Sequence, residues 1–77
     1  MLPEAVLQPT EIQLDLTLAV MNLPQRYREA IVLYYYQNMD TSEIGEVLGI
    51  TQPSVSNRLK KGREILRKAL EGRIYHG

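Results

Sequence analysis

DTSEIGEVLGITQPSVSNRLKKGREILRK, residues 40–68, is the stretch that decides how this chain folds. It reads as two helices joined by a tight turn. Asp40 followed three residues later by Glu43 is a capping-box signal, and the spacing predicts a helix over 41–48. Gly49 ends that helix, at a position where a left-handed backbone is needed. Thr51 then caps a further helix, in whose first turn Pro53 is tolerated. Ile44, Leu48, Ile50 and Val55 supply the apolar contacts that lock the two helices at a steep angle. Gly45 falls where they approach most closely, facing the second helix near Val55. Six such residues in register over twelve positions specify a helix-turn-helix at about 41–60. In that motif the second helix offers its free polar face to the major groove of DNA.

Charge is distributed to match. Residues 51–77 hold seven basic residues against two acidic ones, and residues 1–50 hold two basic against seven acidic. The formal net charge of zero therefore conceals a strong dipole. A basic half built on the second helix of a helix-turn-helix is the electrostatic footprint of a phosphate-binding surface.

The remaining composition is restrictive. Seventy-seven residues make one small domain with a limited core. No apolar run reaches the length of a membrane span, and Met1 opens no signal-peptide pattern, so no membrane insertion is expected. Cysteine is absent, which excludes disulfides and thiolate metal sites and fits a cytoplasmic location. With one histidine, His76 in the C-terminal tail, and no glycine-rich phosphate loop, the chain carries no catalytic set. No enzyme activity, cofactor or metal is expected.

Upstream, residues 1–9 contain Pro3 and Pro9 and read as a linker or arm. The domain itself is expected over 10–72, followed by a tail at 73–77. Thr10 and Gln13 suggest a capping box and a first helix over 10–22, burying Ile12, Leu16, Ala19, Val20 and Leu23. Ile12, Leu14, Leu16, Leu18 and Val20 also alternate as in a strand, but a lone strand has nothing here to pair with. Pro24 suits the first turn of a second helix over 24–37 that buries Ala30, Ile31, Leu33 or Tyr34, and Tyr27. Tyr34, Tyr35 and Tyr36 lie about 100° apart on a helix, which predicts two core aromatics and one at the surface. The fourth helix runs over 52–71, stopping near Gly72. Its apolar stripe is Val55, Leu59, Leu66, Ala69 and Leu70, with Gly62 as a gap that permits close helix contact. The fold class is all-α: a small four-helix domain containing a helix-turn-helix with a long C-terminal recognition helix.

On that fourth helix Leu59, Gly62 and Leu66 stay within about 40° of Val55, while Asn57, Lys60, Lys61 and Lys68 fall on the far side. Only the N-terminal part of a recognition helix reaches deep into the groove. Gln52, Ser56, Asn57 and Lys60 are therefore the candidate base readers, since Gln and Asn pair bidentately with adenine and Lys donates to guanine. Arg58, Lys61 and Arg63 are better placed to meet phosphate, and Ser54 is a further candidate for DNA contact. Thr41 and Ser42 offer hydroxyl and backbone N–H donors to a phosphate.

From Leu23 to Gly72 the chain resembles region 4 of bacterial sigma factors, and within them the extracytoplasmic-function group. Leu23-Pro24-Gln25-Arg26 corresponds to the family's opening Leu-Pro followed by Glu or Gln and Arg. Asp40, Glu43, Ile44, Gly45, Leu48, Gly49 and Ile50 correspond to its capped S-x-x-E-I-A-x-x-L-G-I helix. Ser54, Val55, Ser56, Asn57, Arg58, Leu59, Lys61, Gly62 and Arg63 occupy its T-V-K-S-R-L-x-R-A-R recognition helix. Departures fall at the DNA face: Ser56 replaces a usual Lys or Arg, and Asn57 replaces a common Ser, so no promoter consensus is transferred. The family usually has alanine at the place of Gly45, which implies that alanine is tolerated there, whereas leucine is expected to destabilise by overpacking the contact between the helices. Residues 1–22 are similar only in character to the acidic connector that precedes region 4, and the chain reads as a piece of a longer factor. The resemblance implies double-stranded promoter DNA at the −35 element, the RNA polymerase core through its β-subunit flap, and anti-sigma factors as partners.

Two alternatives stand beside this reading. The output domain of a response regulator uses a similar helix-turn-helix and binds DNA as a dimer. A protein-interaction module that has lost DNA binding would account for the neutral Ser56.

Overall fold

A computed structural model of the protein describes residues 11–71, with side chains from residue 14 onward. These residues form four α-helices: α1 (Glu11–Met21), α2 (Gln25–Ile31), α3 (Thr41–Leu48) and α4 (Gln52–Glu71). A π-helical turn, Val32–Tyr36, continues α2. The expected all-α, four-helix architecture is what forms. Residues 1–10 and 72–77, and with them the arm, the Thr10 cap, the Gly72 stop and the tail, lie outside the described residues, as do the side chains of Ile12 and Gln13.

Each helix boundary has a local cause. The Leu23 N–H bonds back to the Val20 carbonyl at 3.1 Å, turning the chain after α1. Pro24 sits one residue earlier than expected, as the N-cap of α2 rather than inside it, with φ −52° and ψ 145°. At α3 the Asp40 carboxylate accepts from the Glu43 N–H at 2.8 Å, and the Glu43 carboxylate accepts from the Asp40 N–H at 3.0 Å. This reciprocal box satisfies two donors that a helix start leaves open. Gly49 closes α3 with φ 71°, and the Ile50 N–H reaches the Gly45 carbonyl at 2.9 Å, a Schellman closure. Thr51 Oγ1 then accepts from the Ser54 N–H at 3.3 Å and starts α4.

The core is a single cluster to which every helix contributes. Val20 from α1, Leu23, Ala30 and Ile31 around α2, Ile44 from α3, and Val55, Leu59 and Leu66 from α4 are all buried. No polar or charged side chain is buried among the described residues, so burial of apolar area is the main driving force for packing the helices. Gly62 lies against α2: a Cβ there would meet Ile31 Cγ1 at 3.0 Å and Tyr27 Cβ at 3.5 Å. The expected close contact is present, and it brings the start of α2 beside α4.

Three expectations are corrected. Gly45 faces the turn into α4 and not Val55. A Cβ would stand 2.8 Å from the Ile50 carbonyl oxygen, so even alanine requires the turn backbone to shift. Ala69 is exposed, because α4 runs past the end of the core there. Of the three tyrosines none is buried: Tyr34, Tyr35 and Tyr36 are 37%, 48% and 52% exposed. The π-helical turn is the reason. The Gln37 N–H bonds to the Val32 carbonyl five residues back, at 3.1 Å, which carries the following residues off the buried face. Asn38 then reverses the chain with φ 56°, a left-handed conformation that Asn adopts more readily than most residues.

Candidate nucleic-acid interface

The starts of α3 and α4 form one polar edge. Gln52 Nε2 donates to Thr41 Oγ1 at 2.7 Å, tying the two helices across the turn. The Thr51 hydroxyl donates to Ser54 Oγ at 2.9 Å. A Gln52 amide engaged in this way keeps its second N–H and its carbonyl oxygen for another partner.

Beyond this edge α4 presents Ser56, Asn57, Lys60 and Lys61 to solvent, with Arg58 half-buried on the flank toward α2. Ser42 is exposed beside the half-buried Thr41. Six basic residues against two acidic ones give α4 a positive surface along its length. Its one ion pair among the described residues, Arg67 to Glu71 at 3.1 Å, lies near the far end. Arg58, Lys60 and Lys61 therefore keep their charges unneutralised.

Nine of the ten sequence-predicted residues fall on this edge or on the exposed face that continues it. Arg63 does not join them. Its guanidinium donates to the Tyr35 hydroxyl at 2.9 Å, on the opposite flank of α4. There it borders an apolar pocket of about 310 Å³ lined by Leu16, Val20, Tyr36 and Leu66.

Arg26 and Tyr27, expected from the sequence in the opening of the domain and in its core, border the candidate interface. An open cleft of about 510 Å³ separates α2 from α4, and Arg26 and Tyr27 form its α2 wall opposite Asn57, Arg58 and Lys61. Arg26 Cζ lies 4.6 Å from the centre of the Tyr27 ring, and its Nη2 donates to the Tyr27 hydroxyl at 3.2 Å. Gly62 was the available signal: a glycine that lets α4 pack on Tyr27 and Ile31 also puts Arg26 beside the basic flank. Among the described residues, no group of His, Cys, Asp and Glu could hold a metal ion, and no helix is long and apolar enough to cross a membrane.

Two helices joined by a Schellman turn, the second long, basic and exposed on one face, define a helix-turn-helix domain. The family model described as "Sigma-70, region 4" matches residues 13–66, and the chain belongs to that family. It is 39% identical over 69 residues to the ECF RNA polymerase sigma factor SigW of Bacillus subtilis, covering 90% of this chain and 37% of that protein. To the RNA polymerase sigma factor SigZ of the same organism it is 38% identical, covering 69% of this chain and 30% of the relative. To the ECF RNA polymerase sigma factor SigE of Mycolicibacterium smegmatis it is 34% identical, covering 88% and 26%. The chain thus spans between a quarter and two fifths of the length of these curated relatives. No solved structure matches it. The resemblance to region 4 of the extracytoplasmic-function group is borne out.

Proposed function

We propose that this domain binds the −35 promoter element as part of an RNA polymerase holoenzyme and so directs transcription initiation in the cytoplasm. The exposed polar and basic face at the start of α4 carries this reading. Asn57 and Lys60 are the base readers, joined by Ser56 and by Gln52 through the part of its amide that Thr41 does not engage. Arg58 and Lys61 hold the DNA backbone, with Thr41, Ser42 and Ser54 as neutral donors to phosphate, while Arg63 stands apart on the opposite flank beside Tyr35. This division follows the general rule that phosphate contacts position a protein while base contacts specify the sequence.

A second surface suits a protein partner. Leu14, Leu18 and Met21 stand exposed along α1, and Met21 continues into an apolar groove with Val32, Leu33 and Leu48. The β-subunit flap of the polymerase is the occupant that membership of the sigma family favours, with anti-sigma factors competing for the same surfaces.

Binding to a cognate −35 duplex and to a scrambled one, measured at several salt concentrations, tests the assignment. Asn57→Ala is expected to reduce discrimination between the two by about 1–3 kcal/mol for a lost bidentate contact. Lys61→Ala is expected to weaken both duplexes alike and to flatten the dependence of log affinity on log salt by about one unit. Equal weakening of both duplexes by Asn57→Ala would make the assignment of base readers wrong. If neither substitution matters in the holoenzyme, α4 is not the DNA-reading element and the interaction-module reading replaces this one.

A further inference from the structure

We infer that the cleft between α2 and α4 is a second DNA-backbone site, in which Arg26 holds a phosphate beside those held by Arg58 and Lys61. The inference rests on the proposed DNA binding by α4 and extends the interface to a helix outside the helix-turn-helix. The cleft is lined by Arg26, Arg58, Lys60 and Lys61, against the single carboxylate of Glu64. Three further residues, Tyr27, Ser54 and Asn57, complete its lining. Four cations around one acid make an anionic ligand the favoured occupant. The opening is broad and shallow, as suits a polymer lying across it. On a protein whose neighbouring helix meets duplex DNA, the phosphodiester backbone is the matching chemistry.

Arg26 is prepared for this role by Tyr27. The guanidinium stacks on the half-buried tyrosine ring and donates to its hydroxyl. Stacking favours a cation electrostatically and covers one face of the guanidinium. The hydrogen bond engages one of five N–H donors, leaving others on the planar edge for a phosphate oxygen. A side chain already held in place loses less rotational freedom on binding than a free one. Tyr27 is itself anchored, since its Cβ lies where Gly62 lets α4 pack closely. Tyr27 is therefore a positioning residue, and Arg26 is the group that touches DNA.

Affinity of the full chain for the cognate and scrambled duplexes, followed by fluorescence anisotropy from low to moderate salt, provides the test. Arg26→Gln should weaken both duplexes by the same factor and lower the slope of log affinity against log salt by about 0.9, the value for one phosphate contact on B-DNA. Arg26→Lys should keep the slope, because the charge is retained, and Tyr27→Leu should weaken binding at unchanged slope. Circular dichroism of each variant checks that the helices persist. An unchanged slope in Arg26→Gln, alongside a lowered slope in Lys61→Ala, overturns the inference and leaves DNA binding by α4 standing. Failure of the unmodified chain to bind either duplex at low salt overturns both.

Discussion

A hydrogen atom is all that residue 45 can place against the Ile50 carbonyl, since a methyl carbon there would lie 2.8 Å from the oxygen. Two terms of opposite sign act when Gly45 becomes alanine. Helix propensity favours alanine by about 1 kcal/mol, while crowding of a packed site costs about 1–3 kcal/mol. The clash is with backbone, which cannot swing aside as a side chain can, so the second term wins. Gly45→Ala is expected to lower the melting temperature slightly, and Gly45→Leu to lower it by several degrees or more. Gly49 is the complementary case: a Cβ there would meet nothing within 4 Å, and its φ of 71° alone calls for glycine. Both glycines were visible in the sequence as special positions. Which atoms Gly45 faces was not, because residue spacing does not say where the carbonyls of a turn point.

At the scale of the elements, α3 is short and depends on its ends. Asp40→Ala removes the carboxylate and leaves the Glu43 N–H without its partner, while the bond from the residue-40 N–H to the Glu43 carboxylate can persist. A loss of about 1 kcal/mol is expected in chemical or thermal unfolding. Such caps were legible because they consist of particular residues at a fixed spacing. The strand-like alternation in α1 has an equally local origin, as two helical stripes laid side by side. Leu16 and Val20 face the core, and Leu14 and Leu18 face outward. A helix apolar on both sides leaves little periodicity to read. The turn after Ile31 was not legible at all. Hydrophobic period distinguishes buried from exposed positions, but it does not register a hydrogen bond that reaches back five residues in place of four.

At the scale of the whole molecule, the core among the described residues consists of eight buried apolar side chains drawn from the four helices and the α1–α2 corner, with no buried polar side chain beside them. Ile44 is fully buried at the junction of α3 with the rest. Ile44→Ala is expected to cost about 2–5 kcal/mol, a large share of the 5–15 kcal/mol typical of a domain. The loss should appear as one cooperative transition at lower temperature, followed by circular dichroism, and not as selective melting of α3. The candidate interface was legible where it lies on one helix, since rotation by 100° per residue sorts α4 into faces. It was illegible where it crosses between helices. Arg26 was counted with the acidic half of the chain, and only packing of α4 on Tyr27 brings it to the basic one. Arg63 shows the reverse, a residue on the basic helix that the fold turns toward Tyr35.

The wide turn at Val32–Gln37 bears on chain length as well as on side-chain exposure. Its loop holds one residue more than an ordinary helical turn requires, and the surplus is taken up before Asn38 reverses the chain. Behind it, Ala30 and Ile31 remain seated in the core, and ahead of it the Asp40 box restarts the backbone independently. The turn thus takes up its extra residue locally, between two separately fixed segments. Loss of one tyrosine would return the loop to regular pitch, so this is where the domain is expected to tolerate a change of length while the core and α4 keep their places.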